Sequence, residues 1–543
     1  MLDTTKRGWW KSAVLYQIYP KSFQDTNGDG LGDIPGVIAH LDYLEKLGID
    51  GIWLSPVYDS PQVDNGYDIS DYRDIRPAFG TLADMEALIR EAKKRGIVII
   101  MDLVLNHSSD RHFWFQEALK GRDNPYHDYY VWQDGTPDAP PNDLMATFGG
   151  RAWTYVPSLG QYYFHQFAVE QPDLNWENPS LRRELYDMIR FWVDKGVGGF
   201  RLDVIDNIGK QPMHGVTYNG PRLHEFVKEL SREAFCEEGL ITVGEAWGAD
   251  IAQAKQYSAP DGSELSMVFQ FEHIMLDRAT GSEEQGGASG SLKALKKCME
   301  RWQQELYGQG WNSLFWDNHD LPRAVSRWGN DTRYRVESAK MLATVLHGMQ
   351  GTPYIYQGEE LGMTNAYHLT RDTYVDLSAI NDYKEQLRRG RSEEEALAWL
   401  RTWSRDNART PMQWSAEENA GFTTGKPWLP VNPNYLQINA EAALADPDSV
   451  FYHYQKLIAL RKAYPVFRDG TFTLLEPDSE KLFVYTRDTQ REHLLVVCNF
   501  TGETLPYQRP AAFDDAQLLL SNYGAPEKQL RPYEAQLFYL NEE

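Results

Sequence analysis

Between about residues 13 and 360, short apolar segments alternate with stretches in which apolar residues recur at helical spacing. Eight of these apolar segments are rich in β-branched and aromatic residues: AVLYQIYP, GIWLSP, IVIIMDLVLNH, GGFRLDVI, LITVGEAW, SMVFQFEH, SLFWDNHD and TPYIYQGEE. Strands separated by helices pair in parallel through right-handed crossovers, and strands buried on both faces are almost entirely apolar. The pattern therefore predicts an α/β fold, a closed (β/α)8 TIM barrel.

Two insertions and a tail depart from this alternation. The segment 108–174 is rich in Tyr, Trp, Pro, Asp and Gly and is too long for an ordinary barrel loop, so it predicts a small inserted subdomain after the third strand. A second insertion, about 365–440, contains the charged helical piece RRGRSEEEALAWLRTW, and the helix VFYHYQKLIALRKAY follows it. Only short strands follow from about 470, which predicts a C-terminal antiparallel β-sandwich. The predicted units are the barrel (1–107 and 175–469), subdomain B (108–174) and the C-terminal domain (470–543).

Composition and charge narrow the partners of this 543-residue chain. The formal charge of -24 would repel a phosphate backbone or an anionic membrane, so neither nucleic acid nor membrane is an expected partner. Aromatic residues make up 13%, with 17 Trp and 31 Tyr, and flat apolar rings suit stacking on sugars, although most such rings fill cores.

The cysteines and the apolar runs bear on location. Cys236, Cys298 and Cys498 are far apart and lack metal-type spacing, which argues against a disulfide framework. The N-terminus has no apolar stretch ending in a cleavage site, and no run is long enough to span a bilayer. We expect a cytoplasmic enzyme and a monomer, although the sequence does not determine the oligomeric state.

Residues 25–33, DTNGDGLGD, place oxygen-bearing side chains at alternate positions between glycines. In a calcium-binding loop, side-chain oxygens occupy positions 1, 3, 5 and often 9, a backbone carbonyl position 7 and a glycine position 6. Counted from Asp25, position 6 is Gly30, but position 12 is Gly36 instead of the usual Glu. The alternative is a polar turn, since Asp, Asn and Gly also gather in turns. A structural calcium clamp is the favoured prediction, with Asp25, Asn27, Asp29, Leu31 (carbonyl) and Asp33 as ligands.

Several polar side chains stand where the predicted strands end, the face on which barrel enzymes carry their active sites. A single Asp after a strand often caps the next helix, so no one of these residues is informative alone. Together they bring acids from distant segments to one mouth: Asn106, His107, Arg201, Asp203, Glu245, His319 and Asp320. With no evident Ser/His/Asp set or phosphate loop, such acids indicate glycoside hydrolysis, in which one carboxyl protonates the leaving oxygen and another attacks or activates water.

The motifs that carry these residues also carry a family resemblance. The runs VLYQIYPKSFQDTNGDGLGD, DNGYDI, DLVLNH, GGFRLDVI, VGEAW, FWDNHD, TPYIYQGEE and RTPMQW resemble those of glycoside hydrolase family 13, the α-amylase superfamily. The resemblance covers nearly the whole chain and is strongest to the oligo-1,6-glucosidase and dextran glucosidase branch. It implies a retaining hydrolase that acts on small oligosaccharides and carries a structural Ca2+ on the loop after the first strand.

The resemblance assigns catalytic roles by position. It implies that Asp203 is the nucleophile, that Glu245 is the acid and then the base, and that Asp320 grips the sugar 2-OH and 3-OH. Arg201 stands two residues before Asp203, so both side chains point the same way along a strand and the cation keeps the nucleophile ionised.

The resemblance also assigns the pocket for the nonreducing glucose. His107 and His319 match hydrogen-bond donors to this glucose, although satisfied core histidines are the alternative. Asp68 and Arg409 match a pair that closes the pocket behind the sugar 4-OH, which implies exo-action, and Tyr67 matches a residue that stacks on the ring.

The preferred linkage follows from fewer residues. Val204, directly after the nucleophile, accompanies α-1,6 cleavage in this branch. Relatives often have a Glu that contacts the second sugar where this chain has Ser378, so the leaving group is open. Trehalose-6-phosphate hydrolases tend to read GEMSS where this chain reads GEAWG, and sucrose isomerases read differently over 275–279. These two activities, and an α-glucosidase with broader disaccharide specificity, remain alternatives.

A noncatalytic binding protein on the same fold is the alternative from another class. Such relatives would be expected to lose catalytic acids or to gain a membrane anchor, whereas this chain keeps Asp203, Glu245 and Asp320.

Overall fold

The computed structural model describes residues 2–279 and 291–542. Eight parallel strands form one sheet in this part of the chain, and nearly all of their residues are buried. They coincide with the eight apolar segments, which confirms the predicted barrel: β1 (Leu15–Ile18), β2 (Gly51–Leu54), β3 (Val98–Val104), β4 (Gly199–Asp203), β5 (Ile241–Glu245), β6 (Met267–Phe269), β7 (Ser313–Leu314) and β8 (Thr352–Tyr356).

Neighbouring strands follow the order β6-β5-β4-β3-β2-β1-β8-β7. A parallel bridge between Val268 and Asn312, directly before β7, joins the two edges of the sheet. The register of β3 against β4 sets Asp102 beside Arg201. At the start of β4, a Cβ on Gly199 would lie 2.3 Å from the Ile241 carbonyl oxygen, so this close approach of β4 to β5 requires glycine.

Helices cover the outside of the barrel, and several begin at a capping side chain. Thr81 forms a capping box with Asp84, and Asn178 caps a helix whose first residue is a proline. The helices that connect or flank the strands are Ile34–Ala39, Leu41–Leu47, Leu82–Lys94, Pro179–Asp194, Leu223–Ala234, Ile251–Tyr257, Glu272–Ala279, Leu292–Leu306, Ala324–Trp328, Arg335–His347 and Val450–Ala463.

The insertions contain small elements of their own. Within 108–174 lie the helix Phe113–Ala118 and a three-stranded antiparallel sheet, in which Gln161–Phe164 pairs with both Trp132–Asp134 and Trp153–Val156. A hairpin of Tyr58–Asp59 and Asp71–Ile75, which the sequence did not predict, follows β2.

The segment after β8 holds the helices Leu377–Arg388, Glu393–Trp403, Asp406–Arg409 and Ala440–Ala445. The charged piece predicted as one helical stretch is split, because Ser392 and Glu395 form a capping box that starts a new helix.

The C-terminal sheet is antiparallel and five-stranded. It consists of β9 (Thr471–Leu475), β10 (Leu482–Asp488), β11 (Glu492–Asn499), β12 (Gln517–Ser521) and β13 (Ala535–Asn541), in the order β9-β10-β11-β13-β12. A two-stranded sheet of Leu505–Pro506 and Gln529–Leu530 accompanies it. The domain boundaries themselves stay predictions.

Buried cations fasten the C-terminal sheet to the barrel. Arg487 of β10 donates to the Gly348 and Phe467 carbonyls at 3.0 and 3.2 Å. Lys296, on the barrel helix Leu292–Leu306, donates to the carbonyls of Ser479 and Leu482 at 2.6 and 3.0 Å. Hydrogen bonds from a charged donor to backbone carbonyls are stronger than those from a neutral donor, so these contacts hold the C-terminal sheet against the barrel.

Across residues 2–279 and 291–542, we find no helix whose length and apolar character would let it cross a membrane.

Candidate active site

The carboxyl ends of the strands surround a cavity of about 630 Å³. Asp203 and Glu245 are the last residues of β4 and β5, and Asp320 follows β7. All three carboxyls line the cavity, together with Tyr67 and three further residues that the sequence analysis named: His107, Val204 and Ser378. The structure therefore brings the three predicted acids together.

Arg201 connects the two predicted reacting carboxyls. Its Nη1 lies 2.7 Å from Asp203 Oδ1 and 2.7 Å from Asp102 Oδ1, and its Nη2 lies 2.7 Å from Glu245 Oε2. The guanidinium is buried beneath the cavity and packs on the rings of Trp53 and Tyr67. One fixed cation thus aligns a nucleophile candidate and an acid candidate side by side.

Three carboxyls around one guanidinium carry more negative than positive charge, which favours retention of one proton by the cluster. Burial, together with the charges of Glu245 and Asp102, raises the pKa of Asp203 well above its usual range against the opposing effect of Arg201, so Arg201 alone does not keep this carboxyl ionised as the sequence analysis expected. Burial likewise raises the pKa of Asp102 to about 6, against the opposing effect of Arg201. The site can therefore hold an ionised and a protonated carboxyl together, as acid-assisted displacement requires.

Glu245 is held by two donors besides Arg201. The N–H of Val204 lies 3.1 Å from Glu245 Oε2, and the indole N–H of Trp247 lies 3.1 Å from Oε1. Val204 adopts a left-handed conformation with φ 35° and ψ 48°, which is uncommon for a β-branched residue and stores strain. This strained turn follows the nucleophile directly and supplies a backbone N–H to Glu245.

Asp320 is ionised by its surroundings. His319 Nε2 lies 3.1 Å from its Oδ2, while Arg405 Nη1 and Arg409 Nη2 lie 3.1 and 2.8 Å from its Oδ1. Burial alone would raise the pKa of Asp320, but these neighbours hold it well below its usual range. An ionised carboxylate is a strong acceptor for sugar hydroxyls.

His319 lies below the cavity, between the rings of Tyr19 and Tyr67. Burial lowers its pKa to about 3, so the ring is neutral. Gln17 Nε2 lies 2.7 Å from Nδ1, which assigns the proton to Nε2, the atom 2.7 Å from the Tyr67 hydroxyl. Tyr67 in turn donates to Asp102 Oδ2 at 3.1 Å, so His319 and Tyr67 form one network with Asp102.

His107 does line the cavity, and burial lowers its pKa to about 4. Its Nε2 lies 3.1 Å from both the Tyr67 carbonyl and Gln171 Nε2. Gln171 Nε2 also donates to Asp64 Oδ2 at 3.1 Å. The two histidines therefore differ: His107 borders the sugar space, whereas His319 supports the residues that do.

The predicted pairing of Asp68 with Arg409 is wrong. Asp68 accepts hydrogen bonds from the Ser60 hydroxyl and from the N–H groups of Val63 and Asp64, at 2.9 to 3.1 Å, so its carboxylate anchors its own loop. Arg409 instead pairs with Asp320 and, at 3.1 Å, with Asp376.

The ion pair that closes this end of the cavity is formed by Asp64 and Arg405, whose Oδ1 and Nη2 atoms lie 3.5 Å apart. Arg405 also lies 2.6 Å from Asp376. Asp64 opens the run DNGYDI, which carried the resemblance, whereas Arg405 stands four positions before Arg409, outside the run RTPMQW. The sequence analysis named neither residue, and the hydrogen bonds around Asp68 are what exclude that residue from the pocket.

Two further residues were missed by the sequence analysis. Asp102, the partner of Arg201, was recognisable as a charged residue inside the buried run VIIMDLV. Trp247 stacks on Phe271 with ring centroids 3.8 Å apart and remains 39% exposed at the cavity rim. Tyr218 and Met275 lie at the same rim and are likewise exposed. Together they give the open end of the cavity an apolar lining.

The proposed calcium loop folds around its own side chains. Asp25 accepts N–H hydrogen bonds from Asn27 and Gly30, at 2.9 and 2.8 Å. Asn27 accepts one from Asp29 at 2.9 Å, and Asp29 accepts one from Leu31 at 2.8 Å. The accepting oxygens of Asn27 and Asp29 each keep a second lone pair, whereas both oxygens of Asp25 accept a second hydrogen bond, from Gly28 N and from the Thr423 hydroxyl. The donor set therefore suits a hard cation in type, but Asp25 would have to exchange hydrogen bonds to bind one.

Asp33 is bound differently. It caps the helix Ile34–Ala39 through Gly36 N at 2.7 Å, and its other oxygen accepts from Thr26. Among the described residues, no group of three or more acidic, histidine or cysteine side chains is placed to hold a metal ion. Calcium at this loop stays a prediction.

The side chain of Arg278, within the stretch compared with sucrose isomerases, lies outside the described residues.

Known proteins resemble the chain over nearly its whole length. Residues 17–470 match the family model described as alpha amylase, catalytic domain. The chain is 51% identical to an oligo-1,6-glucosidase of Parageobacillus thermoglucosidasius, covering 98% of this chain and 99% of that protein. It is 55% identical to a glucan 1,6-alpha-glucosidase of Streptococcus pneumoniae, covering 91% and 92%. The crystal structure of trehalose-6-phosphate hydrolase from Bacillus licheniformis superposes with a TM-score of 0.94 at 48% identity, covering 98% and 100%.

The barrel, the acids at its carboxyl face and these matches agree: the chain belongs to the alpha-amylase family of glycoside hydrolases.

Proposed function

We propose that this protein is a retaining, exo-acting α-glucosidase that removes nonreducing terminal α-1,6-linked glucose from isomaltose, isomalto-oligosaccharides or dextran. The observation that carries the proposal is the bridging of Asp203 and Glu245 by Arg201 at 2.7 Å on each side. Carboxyls held on one guanidinium are close neighbours, and retaining glycosidases need their two carboxyls about 5 to 5.5 Å apart.

In the first step, an Asp203 oxygen attacks C1 of the glucose while protonated Glu245 gives its proton to the departing glycosidic oxygen. The C1–O bond breaks, the shortened sugar leaves, and a β-glucosyl ester remains on Asp203. In the second step, Glu245 takes a proton from water, the water oxygen bonds to C1, and the Asp203 carboxylate departs. Two displacements at C1 return glucose in its original α configuration.

Other residues hold the sugar. Ionised Asp320 accepts hydrogen bonds from the glucose hydroxyls, and the Asp64–Arg405 pair closes the cavity beyond them. A closed end admits only a chain terminus, which supports exo-action. Val204 lines the cavity beside Glu245 and supports the α-1,6 preference that the resemblance implies.

Trehalose-6-phosphate hydrolase is the second candidate, since a similar structure carries that name. The charge of the cavity disfavours it. Among the described lining residues, Arg405 is the single cationic side chain, against seven carboxyls: Asp64, Asp203, Asp206, Glu245, Asp320, Asp376 and Asp382. A doubly charged phosphate would meet repulsion there unless a cation outside the described residues compensated it.

Glucose release from isomaltose, maltose, sucrose and trehalose 6-phosphate tests the proposal, with Asp203→Asn as the control. We expect isomaltose to give the highest kcat/KM and Asp203→Asn to abolish its hydrolysis while sugar binding persists. Fastest cleavage of trehalose 6-phosphate would favour the second candidate. Substantial activity in Asp203→Asn would contradict the nucleophile assignment.

Calcium and location complete the proposal. The loop of Asp25, Asn27, Asp29, Leu31 and Asp33 would hold Ca2+, which stiffens the loop and takes no part in the chemistry. The three cysteines are free, which supports a reducing, cytoplasmic compartment. We also propose that the protein is a monomer, which light scattering would test.

A further inference from the structure

Asp206 is a further carboxyl that lines the cavity, on the loop after β4. It lies close to Glu245, the predicted acid and base, and has no part in the mechanism above. It lies three residues after the nucleophile, is 1% exposed and lines the cavity together with Glu245. Glu245 is near enough for its charge to raise the pKa of Asp206, to which burial makes the larger contribution.

The two oxygens of this carboxyl have different environments. Oδ2 accepts the N–H of Gly248 at 2.9 Å, which ties the β4 loop to the loop that carries Trp247. Oδ1 is buried and has no hydrogen-bond partner among the residues that the structure describes. A buried carboxyl oxygen without a partner is unfavourable, and binding of a polar ligand group removes the penalty.

The position of Asp206 indicates which polar group would arrive. Glu245 protonates the bond to the leaving sugar, so a residue beside Glu245 on the Trp247 side faces the leaving sugar and lies away from the Asp64–Arg405 end. Ser378 lines the same cavity but offers a hydroxyl and no carboxylate. Of the other lining carboxyls in the described part of the chain, Asp64 and Asp376 pair with Arg405, and Asp382 is exposed. Asp206 is thus the buried carboxyl beside Glu245 that is available to the leaving sugar.

We propose that Asp206 is a specificity-determining residue whose free oxygen accepts a hydrogen bond from a hydroxyl of the leaving sugar. This inference rests on the proposed function. A site that presents a buried polar group to a substrate hydroxyl discriminates against analogues that lack the hydroxyl. Asp206 therefore favours sugar over aryl leaving groups.

The chain offers two control residues for a purely structural role. Asn219 Nδ2 donates to the Gly248 carbonyl at 2.9 Å and so makes a second tie to the same loop. Because Asn219 has φ 51°, Asn219→Gly removes this tie without straining the backbone. The buried hydroxyl of Tyr257 also has no hydrogen-bond partner within residues 2–279 and 291–542, and the charge of Asp206 contributes to its raised pKa. Tyr257→Phe tests whether the free oxygen of Asp206 serves that residue instead.

The experiment compares kcat/KM for isomaltose with kcat/KM for 4-nitrophenyl α-glucoside, whose leaving group has no sugar hydroxyl. We expect Asp206→Ala to lower the isomaltose to aryl ratio by about tenfold or more, since loss of such a contact is worth at least that factor. Asp206→Asn, which retains the Gly248 contact and a polar group, should give an intermediate ratio. Asn219→Gly and Tyr257→Phe should leave the ratio at the wild-type value.

Equal loss on both substrates in Asp206→Ala would overturn the inference, as would a matching fall in ratio for Asn219→Gly or Tyr257→Phe. Thermal melting of each variant separates misfolding from these outcomes: if Asp206→Ala does not fold, the Asp206→Asn ratio decides. Failure of wild-type enzyme to release glucose from either substrate would instead refute the proposed function.

Discussion

The guanidinium of Arg405 lies 3.5 Å from the carboxylate of Asp64, although 341 residues separate them in the chain. The pair joins the loop after β2 to the insertion after β8 and closes the end of the cavity opposite the exposed Trp247. Exo-action on this barrel thus depends on a contact between two loops.

Breaking this pair should impair sugar binding more than folding. We expect Asp64→Asn to lower kcat/KM on isomaltose by about 100-fold, roughly 2.7 kcal/mol of transition-state stabilisation, with little change in melting temperature. Asp68→Ala is the matched comparison, since Asp68 anchors the same loop from outside the cavity, and it should lower the melting temperature. Steady-state kinetics and thermal melts check both. If Asp68→Ala melted normally but lost activity as Asp64→Asn does, the assignment of their roles would be reversed.

The loss of rate caused by removing the proton donor should depend on the leaving group. Glu245→Gln keeps the contacts to Val204 and Trp247 in shape but cannot protonate the glycosidic oxygen. We expect hydrolysis of isomaltose to fall by about 10²- to 10⁴-fold, the usual contribution of general acid–base catalysis. The first step with 4-nitrophenyl α-glucoside should be much less affected and should appear as a burst of nitrophenol. Absence of the burst together with full loss on both substrates would argue against Glu245 as the acid.

The linkage preference should respond to position 204. Val204→Ala shortens the side chain that borders the cavity and keeps the N–H that binds Glu245. We expect the ratio of kcat/KM on isomaltose to that on maltose to fall by about tenfold, within the range that one small apolar contact supplies. Parallel assays on the two disaccharides measure this ratio. An unchanged ratio would mean that Val204 does not select the linkage.

A buried pair of carboxyls below the cavity should make stability depend on pH. Glu359 and Asp317 are buried and share a hydrogen bond, and burial, followed by the charge of Asp317, raises the pKa of Glu359 well above its ordinary value of 4.5. Above that value the unfolded chain releases the proton, whereas the folded chain keeps it. This group therefore stabilises the fold fully below pH 4.5 and loses its contribution as pH rises, by about 1.4 kcal/mol per unit until its folded pKa is reached.

Urea unfolding of wild type and Glu359→Gln between pH 5 and 8 isolates this proton. Gln cannot ionise, so the stability of wild type relative to Glu359→Gln should decline as pH rises. Parallel stability curves for the two proteins would contradict the retained proton.

Calcium removal should act on the fold more than on the chemistry. We expect a chelator to lower the melting temperature, and added Ca2+ but not Mg2+ to restore it, because the loop offers oxygens at the flexible spacing that Ca2+ accepts. Asp29→Ala should melt as the chelated wild type does and should not respond to Ca2+. If neither chelator nor Ca2+ altered melting, the loop would be a hydrogen-bonded turn, the alternative that the sequence left open.

The barrel and its catalytic candidates could be predicted from the sequence because the features that specify them are local. Each strand is a short apolar run, and each catalytic candidate stands at the end of such a run, so Asp203 and Glu245 could be placed without knowing any contact. The hairpin after β2 was missed because its strands, such as DYRDI, are polar and half exposed.

The closing pair could not be derived in this way. Asp64 and Asp68 are four residues apart in one motif and both are buried, and Arg405 stands four residues before Arg409. What distinguishes them is the direction in which the loop N–H groups point. Those of Val63 and Asp64 converge on Asp68 and leave Asp64 for the cavity. That depends on turn geometry, which residue types alone do not determine.

In the strained turn at Val204, the backbone and the side chain of one residue have separate roles. Its backbone N–H donates to Glu245, and its side chain lines the cavity. Every amino acid except proline carries the same N–H, so a substitution at this position can change the linkage preference while the hydrogen bond to the catalytic acid is kept. A family with one catalytic apparatus and many disaccharide preferences is the natural outcome of such a division.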